Sequence, residues 1–455
     1  MPEPRGNLPE KWYIWLEGEI ADWKKEGIIN DSQAGTILQR YEAARREGET
    51  ERGGRLVTVL AIMGAVLLGV GVILFFAANW QGMSKALKVA VILGSIIIAY
   101  GTGYYLAFEK QNYPRVGRTV IFLGTILYGA GIWLIAQVFH INSHYPNGVL
   151  IWILGIIPVI YICGSLSVLI EASLLTIMWT FMEQTGFQTS NWLYLPVMAV
   201  MLVMAYRMKS GLAAGITLAG ASVWAAVASF VSYHGSRGIL LTFTLTAMIG
   251  LFYYVIGSIC KPGGRFKFMK TPSYIAGSVL FFLSVFIISF RDLVRIGSYA
   301  GDTRYTTFFL VWFIGMFLCI WAAAVLGIIK GRLGPESRKS ALFIMVLSVL
   351  LAVLSFTFGL LDETAVILIN NILLFISVIA VVIIGYSERE PVLINTGLAF
   401  FVLGVIARYF DFFWDMLPKS VFFMAGGLVL LVGGTLLERN RRKIVREMKV
   451  NSHAA

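Results

Sequence analysis

VGRTVIFLGTILYGAGIWLIAQVF, residues 116–139, carries a single charge, Arg118, in twenty-four positions. As a helix it would be about 36 Å long, enough to cross a hydrocarbon core of about 30 Å. Lipid offers no water to backbone N–H and C=O groups, so an apolar run of this length must satisfy them internally, as a helix. The chain then changes character. HINSHYPNG, residues 140–148, is polar and carries two histidines and a proline before the next apolar run begins. This rhythm of long apolar run and short polar break continues along the 455 residues.

Composition agrees. Hydrophobic residues make up 58% of the chain and charged residues 14%, against about 25% charged in soluble domains. Apolar runs occur at 56–78, 86–108, 116–139, 148–164, 166–182, 192–206, 211–232, 238–260, 273–290, 308–329, 340–358, 366–386, 391–407 and 419–437. The expected fold class is therefore all-α integral membrane, with about fourteen transmembrane helices. The division is a small N-terminal region, 1–55, a polytopic domain, 56–437, and a basic tail, 438–455. Residues 1–55 are polar, so no cleavable signal peptide is expected before the first run.

Fourteen crossings put both termini on one side. With that side cytoplasmic, 29 of the 37 Lys and Arg residues fall on it and 8 on the other, as the positive-inside rule predicts. The expected location is a bacterial plasma (inner) membrane, multi-pass, with both termini cytoplasmic. The net charge of +12 then needs no nucleic acid partner. The tail ERNRRKIVREMK, 438–449, suits a bilayer with anionic headgroups, at about 1 kcal/mol per basic residue.

Two runs share G-x-x-x-x-G-x-G sixty residues apart, GAVLLGVG at 64–71 and GTILYGAG at 124–131. The runs after them share six identities in twelve positions, ILGSIIIAYGTG (92–103) and ILGIIPVIYICG (153–164). GITLAGASVW, 215–224, is a weaker third copy. This predicts tandem helical-hairpin repeats in parallel orientation, with the glycines allowing close helix approach.

The repeat aligns Asn79-Trp80 with Phe139-His140, both at ends expected on the outer face. Asn79, Trp80, Gln81, Gln137, His140, Asn142 and His144, with His234, form the candidate substrate-binding cluster. Two readings stay open. Trp marks interfaces and amides cap helix ends; alternatively the cluster recognises a headgroup, sugar or small solute. A metal is not expected, since Asn142, Ser143 and Pro146 interrupt any helix joining His140 to His144.

Glu171 is the candidate intramembrane acid, placed about five residues into its run. Asn370, Asn371 and Asn395 suit interhelical hydrogen bonds. RYFDFFWDMLPK, 408–419, pairs Arg408 with Asp411 and is read as an amphipathic loop in the outer interface. Cys163, Cys260 and Cys319 all fall in apolar runs and read as packing residues.

Residues 9–48 alternate polar and apolar at helical spacing, with Trp12, Trp15, Leu16, Ile20 and Trp23 on one face. Gly27 ends that helix and Asn30 or Asp31 caps the next. This cytoplasmic helical hairpin is too small to bury a core alone, so a partner is expected: its own membrane domain, a second copy or a cytoplasmic protein.

WKKEGII (23–29), FFAANWQGMSKALK (75–88) and AQVFHINSHYPNGVLIWILGIIP (136–158) resemble a bacterial family of multi-pass membrane proteins, that of domain of unknown function 2157, over roughly residues 10–165. The resemblance implies topology and location, and no catalytic residue or cofactor. No nucleophile–base pair or metal set is recognisable in the chain. The function expected is transporter-like, or the handling of a lipid-linked or small polar substrate at the outer face. The alternative is a membrane scaffold or sensor recruiting a partner through residues 9–48.

Overall fold

The computed structural model describes residues 10–38, 82–110, 113–141, 144–232, 237–260, 263–298, 306–357 and 360–413, with scattered positions between 60 and 74 and between 424 and 435. Helix dominates and no strand occurs among these residues. The chain divides into two compact units, Met1–Asn142 and Ser143–Ala455.

The first unit opens with α1, Glu10–Lys25, and a second helical stretch at 31–38. The turn between them follows the expected chemistry. Gly27 takes φ +74°, and the Gly27 and Ile28 N–H groups return to Lys24 and Trp23 carbonyls, closing a Schellman motif. Asn30 is the cap: its Oδ1 accepts from Gln33 N–H at 2.8 Å while its own N–H donates to Gln33 Oε1 at 3.0 Å, a reciprocal capping box. Lys24 and Asp31 pair across the turn. Ile20 and Ala34 are buried.

The same unit holds α2, Lys85–Tyr104, prolonged by a π-helical turn, Tyr105–Glu109, and α3, Pro114–Val138. These two form a hairpin packed through glycine. A Cβ on Gly131 would stand 2.8 Å from Ile92 Cγ2, and one on Gly103 2.7 Å from Ile121 Cγ1. Gly117 lies against the Ala107 backbone. Without a hydrophobic drive between helices in lipid, such close backbone approach is what holds them. Away from the seam, Ile97 and Ile98 are each 69% exposed, as a lipid-facing stripe would be.

The second unit contains α4 (Pro146–Cys163), α5 (Leu166–Phe187), α6 (Tyr194–Arg207), α7 (Gly211–Ser232), α8 (Arg237–Ile259), α9 (Lys267–Ile288), α10 (Arg291–Ser298), α11 (Thr307–Ile329), α12 (Pro335–Thr357), α13 (Glu363–Ser387) and α14 (Pro391–Phe413). α8 is the hub, touching α7, α9, α10, α11 and α12. Over an apolar stretch of eighteen residues 78% of it is buried, against 17–50% in the other candidate spans among the described residues. It lies closest to α9, where Gly250 and Gly277 face one another: a Cβ on either would be 2.7 Å from the other's carbonyl oxygen.

Hydroxyls inside this bundle bond mostly to their own helices, Ser173 to Leu169 O, Thr217 to Ala213 O and Ser278 to Tyr274 O. Thr246 and Ser284 instead join α8 to α9 at 2.7 Å. These hydroxyls are thereby satisfied within the protein.

Eleven helices among the described residues are long and apolar enough to cross a membrane. The count of fourteen is not reproduced. The first and fourteenth runs, 56–78 and 419–437, lie largely outside the described residues. The sixth forms α6, whose fourteen residues rise about 21 Å, short of a bilayer core of about 30 Å. A second correction concerns residues 408–413, read as a loop: they continue α14 as helix. The helix carries Arg408 round to α9, where it donates to Ser289 O and Oγ at 3.3 Å while pairing with Asp411 at 2.9 Å. Asn371 on α13 reaches the same Ser289 carbonyl at 3.3 Å, an interhelical bond of the kind expected.

Candidate functional site

α3 ends at Val138, and Phe139 to Ile141, His144 and Tyr145 are not helical, as Pro146 led one to expect. His140 takes φ +53°. Its N–H and that of Ile141 return to Gln137 and Ala136 carbonyls, so a histidine fills the left-handed position usually given to glycine. Gln137 and His140 are both exposed in the first unit. His144 belongs to the second. Asn79, Trp80, Gln81, Asn142 and His234 lie outside the described residues.

In the second unit His144 has a partner that the apolar-run reading did not select. Its Nε2 lies 2.8 and 2.7 Å from the two carboxylate oxygens of Glu183, in the last turn of α5. The Glu183 side chain is 12% exposed and that of His144 34%. The His144 ring rests on Phe187, centroids 3.8 Å apart, and Tyr145 packs on the same ring at 5.3 Å. The Tyr145 hydroxyl lies over Gly186, where a Cβ would come within 2.5 Å. The first turn of α4 and the last turn of α5 are thus locked around one carboxylate–imidazole pair.

Gln184, the next residue, is fully buried and turns the other way. Its Nε2 donates to Trp224 O at 3.1 Å and to Ser190 O at 3.4 Å. Trp224 Nε1 donates to the Ser190 and Asn191 carbonyls at 2.9 and 3.0 Å. The α5–α6 loop makes this geometry by placing Gln188 and Asn191 at positive φ, 54° and 40°. Around Trp224 gathers an aromatic group: Tyr194 stacked at 5.8 Å, Trp312 edge-on at 5.0 Å, and Trp192 and Phe308 at 5.7 and 6.0 Å. Within it, Gln184 Oε1 and Trp312 Nε1 are buried with no hydrogen-bond partner among the described residues, and so is Trp179 Nε1 one turn before Glu183. Buried polar atoms are almost always paired, so each such atom calls for a ligand or a cost.

A sequence signal for this site exists in EQTGFQTSNW, residues 183–192, a polar and aromatic stretch following an apolar run. Hydropathy alone does not select it, because Glu183 falls just beyond the run 166–182. Glu171, the acid inside the run, sits half-buried within α5. Among the described residues no three His, Cys, Asp or Glu gather as metal ligands. A separate polar brace ties the far end of the bundle: Glu388 accepts from Tyr274 Oη at 2.8 Å and Ser340 Oγ at 2.7 Å, and Lys270 pairs with Glu390.

These features define a polytopic α-helical membrane protein. Residues 21–169 match a family described as "Predicted membrane protein (DUF2157)". The match covers most of the stretch from which the resemblance was drawn, and it stops before Glu183. No curated protein and no solved structure matches the chain.

Proposed function

We propose that this membrane protein binds a small polar or lipid-linked substrate where α4 begins and α5 ends, as a transporter or a handler of lipid-linked substrates would. The observation that carries this reading is the adjacent pair Glu183 and Gln184. One carboxylate is held by His144, and one amide, fully buried, leaves its Oε1 without a partner beside an aromatic group. An intramembrane acid with a fixed partner is a functional device by default. Aromatic faces with a few convergent polar atoms suit a sugar or a cationic headgroup. The positive-inside rule favours this end as the outer face. Gln137 and His140, and with them Asn79, Trp80, Gln81 and Asn142, remain a separate substrate-contact proposal that rests on the sequence alone.

The test is native mass spectrometry of the protein extracted from its host membrane in mild detergent, wild type beside Glu183→Gln, Gln184→Leu and Gln137→Ala/His140→Ala. A species retained by wild type and lost from Glu183→Gln and Gln184→Leu supports the site. Identical spectra without retained ligand would return these residues to a structural role.

The hairpin of α1 and residues 31–38 supports a second reading, a scaffold recruiting a partner, because Ile28 is 64% and Trp15 53% exposed there. It predicts that deleting residues 1–48 removes a co-purifying protein while Glu183→Gln does not.

A further inference from the structure

Between α7 and α9, with Thr246 of α8 on its floor, runs an apolar groove of about 790 Å³. Small residues open it: Gly211, Gly215 and Ala219 on α7, and Pro272 and Ala276 on α9. The two helices come close at its base, where a Cβ on Gly211 would meet Phe268 O at 2.8 Å and one on Gly215 would meet Pro272 Cβ at 3.2 Å. From Gly211 to Ala226 the groove wall rises about 22 Å, longer than the half-thickness of about 15 Å of a hydrocarbon core.

The groove has a polar neighbour. Phe268 and Thr271 also line a second cavity, of about 770 Å³, at the end where α7 and α9 both begin. This cavity carries Arg207, Lys209, Arg265 and Lys267, with Gly263 and Gly264 leaving room between them, and no acidic residue lines it. None of the four cations forms an ion pair among the described residues. Two are held by aromatic faces instead, Arg207 over Tyr161 at 4.1 Å and Arg265 over Tyr206 at 5.7 Å. The N-termini of α7 and α9 add their partial positive charge.

We infer that this adjacent pair of cavities is a site for one anionic phospholipid, its phosphate among Arg207, Lys209, Arg265 and Lys267 and one acyl chain along the α7–α9 groove. Charge complementarity selects the occupant. A cavity lined by four cations and no acid calls for an anion, and an apolar groove sharing Phe268 and Thr271 with it calls for an alkyl chain on that same molecule. A soluble phosphate would use only the first cavity, and a zwitterionic lipid would bring an unmatched ammonium into it. The positive-inside rule favours the cytoplasmic leaflet for this end, and the site uses none of the residues of the proposed substrate site, so the two proposals stand or fall separately.

The full-length protein, delipidated in detergent, is mixed with phosphatidylglycerol or with phosphatidylcholine of the same acyl chains, and bound lipid is counted by native mass spectrometry. Wild type is expected to retain one phosphatidylglycerol at concentrations where phosphatidylcholine is absent. Arg207→Gln/Arg265→Gln is expected to lower that retention about tenfold, and Ala219→Phe, which fills the groove from an exposed position, to do the same. Lys330→Ala/Lys339→Ala, away from the site, is expected to leave it unchanged. The exposed arginine pair decides the matter if Ala219→Phe fails to fold. Equal retention of the two lipids by wild type, or unchanged phosphatidylglycerol in Arg207→Gln/Arg265→Gln, would overturn the assignment.

Discussion

The imidazole of His144 faces both carboxylate oxygens of Glu183, 2.8 and 2.7 Å away, and so joins the start of α4 to the end of α5 across thirty-nine residues of sequence. A hydrogen bond to a charged group contributes about 1.5–3 kcal/mol when well buried. With His144 34% exposed the lower part of that range applies. Glu183→Ala is expected to cost about 1–2 kcal/mol, read as a lower thermal midpoint in detergent, and His144→Ala in the Glu183→Ala background should add little. Independent, additive losses would show that the two side chains do not act as a pair.

Gly250 and Gly277 let α8 and α9 meet backbone to backbone. Alanine at either position places a methyl 2.7 Å from a carbonyl oxygen that cannot swing aside. Gly277→Leu is therefore expected to destroy the hub of the second unit and to run as aggregate in size-exclusion chromatography. Gly315→Leu is expected to stay monodisperse, since a Cβ there meets nothing within 4 Å. Equal behaviour of the two variants would remove the crossing from the account of stability.

His140 occupies a left-handed conformation at φ +53°. Side chains other than glycine are strained there by about 1 kcal/mol. His140→Gly is expected to raise the thermal midpoint, whereas His140→Val should lower it because a branched Cβ fits that region worse. A stability loss in the glycine variant would mean that the imidazole makes contacts worth more than the strain it causes.

Cys163, Cys260 and Cys319 form no disulfide, so their exchange for Ala gives a background for single-cysteine labelling. A cysteine at Asn147 is expected to react with an impermeant maleimide in intact cells, and one at Gly263 only after permeabilisation. The reverse pattern would invert the orientation drawn from the loop charges and, with it, the leaflet of the phospholipid site.

Much of the helical content was legible because the solvent dictates it. A long apolar run in lipid has helix as its one way to satisfy its backbone, and α2, α3, α7 and α13 follow their runs closely. The turn at Gly27 and Asn30 was legible because a left-handed glycine and an Asx cap act within four residues. The run boundaries misled where polarity and helix ends differ. Arg408 and Asp411 look like a break in composition, yet Ser289 and Phe290 receive the arginine and α14 continues through it. Glu183 looked like the polar flank of a finished run, yet its helix extends to Phe187 and buries it.

The sequence by itself determined that this is a multi-pass helical membrane protein, where most of its helices lie, and which short motifs turn the chain. The tertiary structure decided which helix is central, which glycines are contacts and which acid has a partner. The physical reason is that lipid and protein interior are both apolar. Ile92, buried against Gly131, and Ile97, facing outward, are the same residue type in one helix, so hydropathy cannot separate them. Only the packing of α3 on α2, or of α5 between α4 and α7, tells a lipid-facing side from a buried one. Only that packing shows that Glu183, His144 and Gln184 are brought to one end of the second unit.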